Sequence, residues 1–185
     1  MSEFKLQFDI SEIPSLAARY EEAQGHLDDQ AFARAANIVL RKGEHTNATI
    51  DDLLAVMRWK SQRALGHLRY NTDEEIFEAL DIAMDAEHER TAIAVLCGLE
   101  GFGVPMASAV LTALQGNSDD ERFTIIDWRA LEALGRKNES ITLPLYLDYL
   151  DFIFELKERT GHSLRVIDRA LWQWSFEHWK EPRAA

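Results

Sequence analysis

A short glycine turn between two apolar segments constrains the fold of this 185-residue chain more than any other feature. Gly101 and Gly103 lie within residues 99–108, and apolar residues flank them on both sides. Pro105 follows where a helix would begin, a position that suits proline because the first N–H groups of a helix have no partner inside it. The pattern predicts a tight turn that opens into a new helix.

The start of such a helix is suited to binding an anion. Its free N–H groups and partial positive charge favour a group such as a phosphate. The predicted phosphate-binding turn comprises Gly101, Phe102, Gly103, Val104 and Met106. Any tight turn between two helices also favours glycine, so the turn alone is a weak sign of phosphate binding.

Most of the remaining chain has helical periodicity. Helices are predicted at residues 13–24, 28–42, 49–69, 73–87, 89–99, 105–115, 127–135, 143–160 and 163–179. Apolar and polar residues alternate over residues 4–10, as in a half-buried strand, and residues 123–126 form a second strand-like run. A lone strand is unstable, so both are treated as extended segments. The predicted fold class is all-α, with one or two short extended segments.

Length and composition predict the organisation and the compartment. Residues 1–185 are expected to form a single helical domain, or two lobes that share a core and meet at a cleft near residues 100–135. The single cysteine, Cys97, has the setting of a small buried hydrophobe. There is no signal-peptide pattern and no apolar run of about 18 residues, so we expect a cytoplasmic protein without a membrane partner.

The net charge of −12 weighs against a nucleic-acid partner, because phosphate contacts need cations. The charges are unevenly distributed, however. Residues 58–69 contain cationic residues and no acid, whereas residues 73–89 contain acids and no lysine or arginine. Arg58, Lys60 and Arg63 are therefore predicted to contact phosphate; the alternative is an ordinary solvated helix face.

Several separate motifs resemble those of the helix-hairpin-helix DNA glycosylase superfamily, the base-excision enzymes related to endonuclease III and 8-oxoguanine glycosylase. The residues that match its hairpin are Leu99, Gly101, Gly103 and Ala107. Residues 125–127, Ile-Ile-Asp, match the segment that ends in the family's catalytic aspartate. Trp59-Lys60 and residues 165–172, Arg-Val-Ile-Asp-Arg-Ala-Leu-Trp, are similar to stretches found in bacterial relatives of 8-oxoguanine glycosylase.

The resemblance implies a helix-hairpin-helix glycosylase-like bundle that binds duplex DNA containing a damaged or modified base. It implies that Asp127 is the catalytic acid, which would stabilise the positively charged sugar or activate a water. An aspartate there also commonly caps a helix, and the two roles are compatible. Trp128, beside this acid, is the candidate for lining a base pocket, although core packing is the more common role of tryptophan.

Departures from the family pattern limit the implied chemistry. Family members that also cut the strand use a lysine at the position of Pro105, so the resemblance implies a monofunctional, hydrolytic glycosylase. No cofactor and no metal are expected, since one cysteine cannot hold an iron–sulfur cluster and no zinc motif occurs.

The alternative function is a non-catalytic protein-interaction or regulatory module that retains a degenerate glycosylase fold. The acidic composition and the missing lysine favour it.

Overall fold

A computed structural model of the chain describes residues 3–42, 48–62, 65–116 and 120–179. Within these ranges the chain forms nine α-helices and no β-strand, which confirms the all-α prediction. The helices are α1 Ile13–Lys42, α2 Ile50–Lys60, α3 Leu65–Leu68, α4 Asp73–Asp85, α5 Glu89–Leu96, α6 Val104–Gln115, α7 Trp128–Ala133, α8 Leu143–Thr160 and α9 Leu164–His178. A 3₁₀ turn, Ile10–Glu12, leads into α1.

The first two predicted helices, 13–24 and 28–42, form one continuous 30-residue helix. Gly25 lies inside it, although glycine in a helix interior costs about 1 kcal/mol relative to alanine. The helix nevertheless continues because one stripe along its whole length is buried against the core. The residues of this stripe include Ile13, Leu16, Tyr20, Asp28, Ala31, Ala35 and Ile38.

The predicted helix 49–69 is interrupted. α2 ends at Lys60, Ser61 has an extended backbone, and α3 is a separate turn of helix. The basic residues therefore do not share one helix face: Arg58 and Lys60 lie on α2, and Arg69 follows α3. Arg63 lies outside the described residues.

The helix that begins at the glycine turn is the centre of the core. Nearly every side chain of α6 is buried, including its two hydroxyl residues, Ser108 and Thr112. The long helix α1 packs against α2, α6 and α9, while α7 and α8 pack on α9. The end of α9 and the start of α7 are thereby held on one side of the molecule.

The two extended segments are held by helices rather than by a strand partner. Residues 5–7 donate backbone hydrogen bonds to the C-terminal end of α7, from Lys5 N–H to Leu134 and from Gln7 N–H to Ala133. Residues 123–126 lead into α7 and are bonded to side chains of α6 and α8. The alternation in the sequence thus reflects half-buried extended chain and not a sheet.

Two expectations from composition concern Cys97 and the membrane. Cys97 is half-buried, and burial raises the pKa of its thiol. In the described part of the chain, none of the helices has both the length and the apolar character needed to cross a bilayer.

Gly135 tests the left-handed backbone at the end of α7, where the N-terminal segment is bonded. Its φ is +74°, and a Cβ there would lie 2.7 Å from Nε2 of Gln7. We expect Gly135→Ala to lower the free energy of unfolding by about 1–2 kcal/mol, the cost of a side chain in the left-handed region. Denaturant titration measures it, with Gly66→Ala as control, since nothing lies within 4 Å of a Cβ at Gly66. Equal effects of the two substitutions would contradict this account.

Candidate functional site

A pocket of about 130 Å³ lies between α1, α2, α9 and the residues that precede α7. The residues that line it are Tyr20, Gln24, Leu27, Trp59, Lys60, Ile125, Asp127, Arg165, Asp168 and Trp172. Three separate motifs from the sequence meet there: Trp59-Lys60, Asp127 and the stretch 165–172. They come together because α1 packs on both α2 and α9.

Asp127 uses its two carboxylate oxygens for different purposes. Oδ1 accepts hydrogen bonds from the backbone N–H groups of Arg129 and Ala130, both at 3.0 Å, and so caps α7. Oδ2 lies 2.8 Å from Nζ of Lys60 in an ion pair at the pocket wall. The expected capping role is therefore present, and it leaves one oxygen directed at the pocket residue Lys60.

The segment before Asp127 is fixed by three hydrogen bonds to side chains of α6 and α8. Tyr149 donates its hydroxyl to the Ile125 carbonyl at 2.9 Å, and Tyr146 donates to the Thr124 carbonyl at 3.3 Å. The Ile126 N–H donates to Oγ of Ser108 on α6. Because both tyrosines are fully buried, this backbone has little freedom to shift. The acid is thus held in place by the core.

The two pocket carboxyl groups have opposite pKa shifts. Burial by itself would raise the pKa of Asp127, but the charge and hydrogen bond of Lys60, with the two α7 amides, hold it below its ordinary value. Burial raises the pKa of Asp168 to about 6; Arg165 opposes this rise, and the negative charge of Asp127 adds to it. At neutral pH Asp127 is therefore firmly ionised, whereas Asp168 titrates much closer to neutrality.

A buried carboxylate, Asp28 on α1, joins the helices around the pocket. Its Oδ1 accepts from the Tyr20 hydroxyl at 3.0 Å and from Nε1 of Trp59 at 3.1 Å. Its Oδ2 accepts from Arg165 and from Arg169, the latter at 3.0 Å. A buried charge is costly unless it is paired in this way. The network holds α1, α2 and α9, which form the pocket walls, in fixed positions relative to one another.

Arg165 occupies the inner wall of the pocket. Its guanidinium pairs with Asp28 and Asp168, and rings of Tyr20, Phe32 and Trp59 surround it at 5.6–5.7 Å. Its Nε is buried and has no acceptor in the part of the chain that the structure describes. Arg165 thus retains one N–H donor that no described residue uses.

The predicted phosphate-binding turn has the expected shape but fewer free amides. Gly101 has a φ of +92°, and Gly103 is the exposed N-cap of α6. The amide of Phe102, however, donates to the Leu99 carbonyl, and that of Met106 donates to Gly103. The prediction that these two amides are free is wrong, because the turn uses them to close itself; Gly103 and Val104 have no such bond among the described residues. None of these residues lines the pocket.

The other predicted contact residues lie in different places. Lys60 lines the pocket, where its ammonium group is paired with Asp127. It does not lie on an exposed helix face. Arg58 is exposed beside a neighbouring groove that shares Trp59 with the pocket. Trp128 does not line the pocket; its ring is turned outward and is 48% exposed. The predicted position of Trp128 in the base pocket is therefore not found, although Trp128 directly follows Asp127 in the chain.

The sequence analysis missed the contribution of α1: Tyr20, Gln24 and Leu27 line the pocket, and Asp28 lies behind the lining, bonded to Tyr20 and Trp59. The predicted helix break before residue 28 concealed the fact that Asp28 continues the buried stripe of α1, eight residues after Tyr20. An acid on an apolar stripe indicates a buried partner, and the arginines 165 and 169 repeat at helical spacing opposite it. The sequence signal for this contact was therefore an acid on an apolar stripe together with two arginines spaced four residues apart.

Comparisons of this chain with protein-family models, curated proteins and solved structures found no match. The site therefore has to be interpreted from its own geometry and chemistry.

Replacing Lys60 tests the electrostatics of the pocket. We expect Lys60→Met to raise the pKa of both Asp127 and Asp168, because the lysine charge lowers each of them. Carboxyl ¹³C chemical shifts, followed over acidic and neutral pH, measure the two values. Lys137→Met is the matched control, since Lys137 pairs with Glu132 outside the pocket. Unchanged titration midpoints in Lys60→Met would contradict the assigned contacts.

Proposed function

We propose that the pocket binds one nucleobase turned out of duplex DNA and that Asp127 promotes hydrolysis of its N-glycosidic bond. The protein would then be a monofunctional DNA glycosylase-like enzyme. The observation that carries the proposal is the ionised carboxylate of Asp127 at the wall of a small pocket with aromatic sides.

The size and lining of the pocket favour a single planar heterocycle. Its volume of about 130 Å³ is close to that of a cavity in another protein, about 150 Å³, that accommodates benzene. Three aromatic residues, Tyr20, Trp59 and Trp172, are part of its lining, which suits a planar, apolar ring. Enzymes that act on a base in DNA take it out of the helix and hold it between such rings.

The chemistry needs one negative charge beside the sugar. As the bond from C1′ to the base nitrogen breaks, positive charge develops on the sugar, and Asp127 stabilises it. Water adds to C1′, its proton goes to solvent or to the departing base, and an abasic site results. For Asp127 to act, the Lys60 ammonium, which lies 2.8 Å from Oδ2, must first shift from the carboxylate to a backbone phosphate as the nucleotide enters. The shift keeps the lysine charge paired and exposes the carboxylate to the sugar before the bond breaks.

Phosphate contacts are proposed for the remaining predicted residues. Arg58 is exposed beside the pocket, and Gly103 is an exposed residue at the start of α6 whose N–H has no backbone partner among the described residues. Such contacts position DNA without reading its sequence, and they make the affinity depend steeply on salt.

A second candidate is the non-catalytic interaction module, which the net charge of −12 favours. In that case the protein would keep the fold described above and use it to bind a protein partner. A wild-type protein that binds no duplex with an abasic-site analogue at low salt, and releases no base, would support this candidate.

Asp127→Asn tests the proposed chemistry. Asparagine can still accept from the α7 amides, but it carries no charge, so base release should fall at least about 100-fold while DNA binding persists. The free energy of unfolding should fall by about 1–3 kcal/mol, because Lys60 loses its charged partner. Base release is measured over duplexes with oxidised, alkylated and deaminated bases, alongside denaturant titration.

Asp52→Asn is the matched control for this variant. Like Asp127, Asp52 is an aspartate in an ion pair, with Arg34 at 3.1 Å, but it does not line the pocket. It should retain base release at a similar loss of stability. Release by Asp127→Asn at the wild-type rate would make Asp127 a structural cap only.

Borohydride trapping tests the hydrolytic step. We expect no covalent adduct with abasic DNA, since Pro105, at the position of the family's nucleophilic lysine, has no amine to attack the sugar. Gel electrophoresis after reduction detects an adduct. An adduct that disappears in Lys60→Arg would show that Lys60 attacks the sugar, and the monofunctional mechanism would be wrong.

A further inference from the structure

Three large aromatic side chains are exposed together beside the pocket. Trp128 is 48% exposed, Phe176 53% and Trp179 40%. The rings of Trp128 and Trp179 lie 6.2 Å apart, and Phe176 stacks at 5.1 Å on Trp172. We call Trp128, Phe176 and Trp179 the aromatic platform. Leaving this much aromatic surface in water is costly, which favours a binding role.

The guanidinium of Arg129 lies among these rings. Its carbon is 4.2 Å from the centre of Trp128 and 5.0 Å from that of Trp172, with Phe176 and Trp179 within 5.8 Å. Burial lowers the pKa of Arg129, against the opposing charges of Asp127 and Glu132. Its Nη1 is buried and donates to no acceptor within the described ranges. The platform thus has a cation with an unused donor at its centre.

The platform is continuous with the pocket. Trp172 lines the pocket and also stacks on Phe176. Asp127, at the pocket wall, is followed directly by Trp128 and Arg129. A strand whose nucleotide enters the pocket therefore has its neighbouring nucleotides at the platform.

We propose that the aromatic platform binds unpaired nucleobases next to the nucleotide in the pocket. The proposal rests on the proposed function, because it takes DNA as the ligand. Base faces stack on aromatic rings without regard to sequence, and a phosphate oxygen or base carbonyl accepts the free N–H of Arg129. The charge at the centre of the platform also matches a polyanion, although the protein as a whole is acidic.

The experiment compares two duplexes that carry a tetrahydrofuran abasic analogue. In one, the nucleotides flanking the analogue have unpaired bases; in the other, abasic linkers replace those bases. Dissociation constants are measured by fluorescence anisotropy of labelled DNA. Trp128→Ala and Phe176→Ala should each bind the first duplex at least about fivefold more weakly than wild type, the smallest effect expected for one stacked base. On the second duplex these variants should bind like wild type.

Two further variants separate binding from folding. Trp128→Phe keeps an aromatic face and should restore most of the affinity lost in Trp128→Ala. Ile82→Ala removes an exposed apolar side chain, 48% accessible, that is not part of the platform, and it should leave the affinity unchanged. Melting temperatures show whether any loss of affinity follows a loss of folded protein.

The possible outcomes distinguish this proposal from the proposed function. If wild type binds the first duplex and both alanine variants bind it equally well, the platform proposal is wrong and the pocket proposal stands. If the variants change only self-association in sedimentation, the platform joins copies of the chain, and the nucleobase proposal is also wrong. If wild type binds no DNA and releases no base, both proposals are overturned.

Discussion

The buried carboxylate of Asp28 is the interaction on which the site depends. It accepts hydrogen bonds from Tyr20 on its own helix, from Trp59 on α2 and from two arginines on α9. A carboxylate taken out of water is stable only when such partners surround it. Satisfying Asp28 therefore brings α1, α2 and α9 to fixed positions, and the pocket is the space that remains between them.

Asp127 is coupled to this frame through the core. Its carboxylate caps α7, its preceding backbone is bonded to buried tyrosines of α8, and its second oxygen pairs with Lys60 of α2. The same residue thus contributes to folding and, under the proposed function, would supply the charge that acts on the sugar. A site built this way needs little rearrangement of the protein to hold its charge in position, which is the condition for electrostatic stabilisation of a transition state.

The total charge of the protein is a poor guide to this region. The chain carries −12 overall, yet Lys60, Arg129, Arg165 and Arg169 all lie at or beside the pocket. Three of them are held there by the acids Asp28, Asp127 and Asp168. Buried acids recruit cations, so a locally balanced or basic site can form within an acidic protein. Local distribution, rather than net charge, decides what approaches the site.

The sequence by itself determined the all-α class, most helix positions, the glycine turn and the cap at Asp127, because these follow from local periodicity, backbone freedom and capping. It did not determine that α1 is continuous. Packing of α1 against α9, which is distant in sequence, outweighs the local cost of Gly25. Nor did the sequence place Lys60 against Asp127, Asp28 beneath the pocket or Trp128 outside it. Those positions depend on contacts between residues far apart in the chain, and only the packing of α1, α2, α7 and α9 decides them.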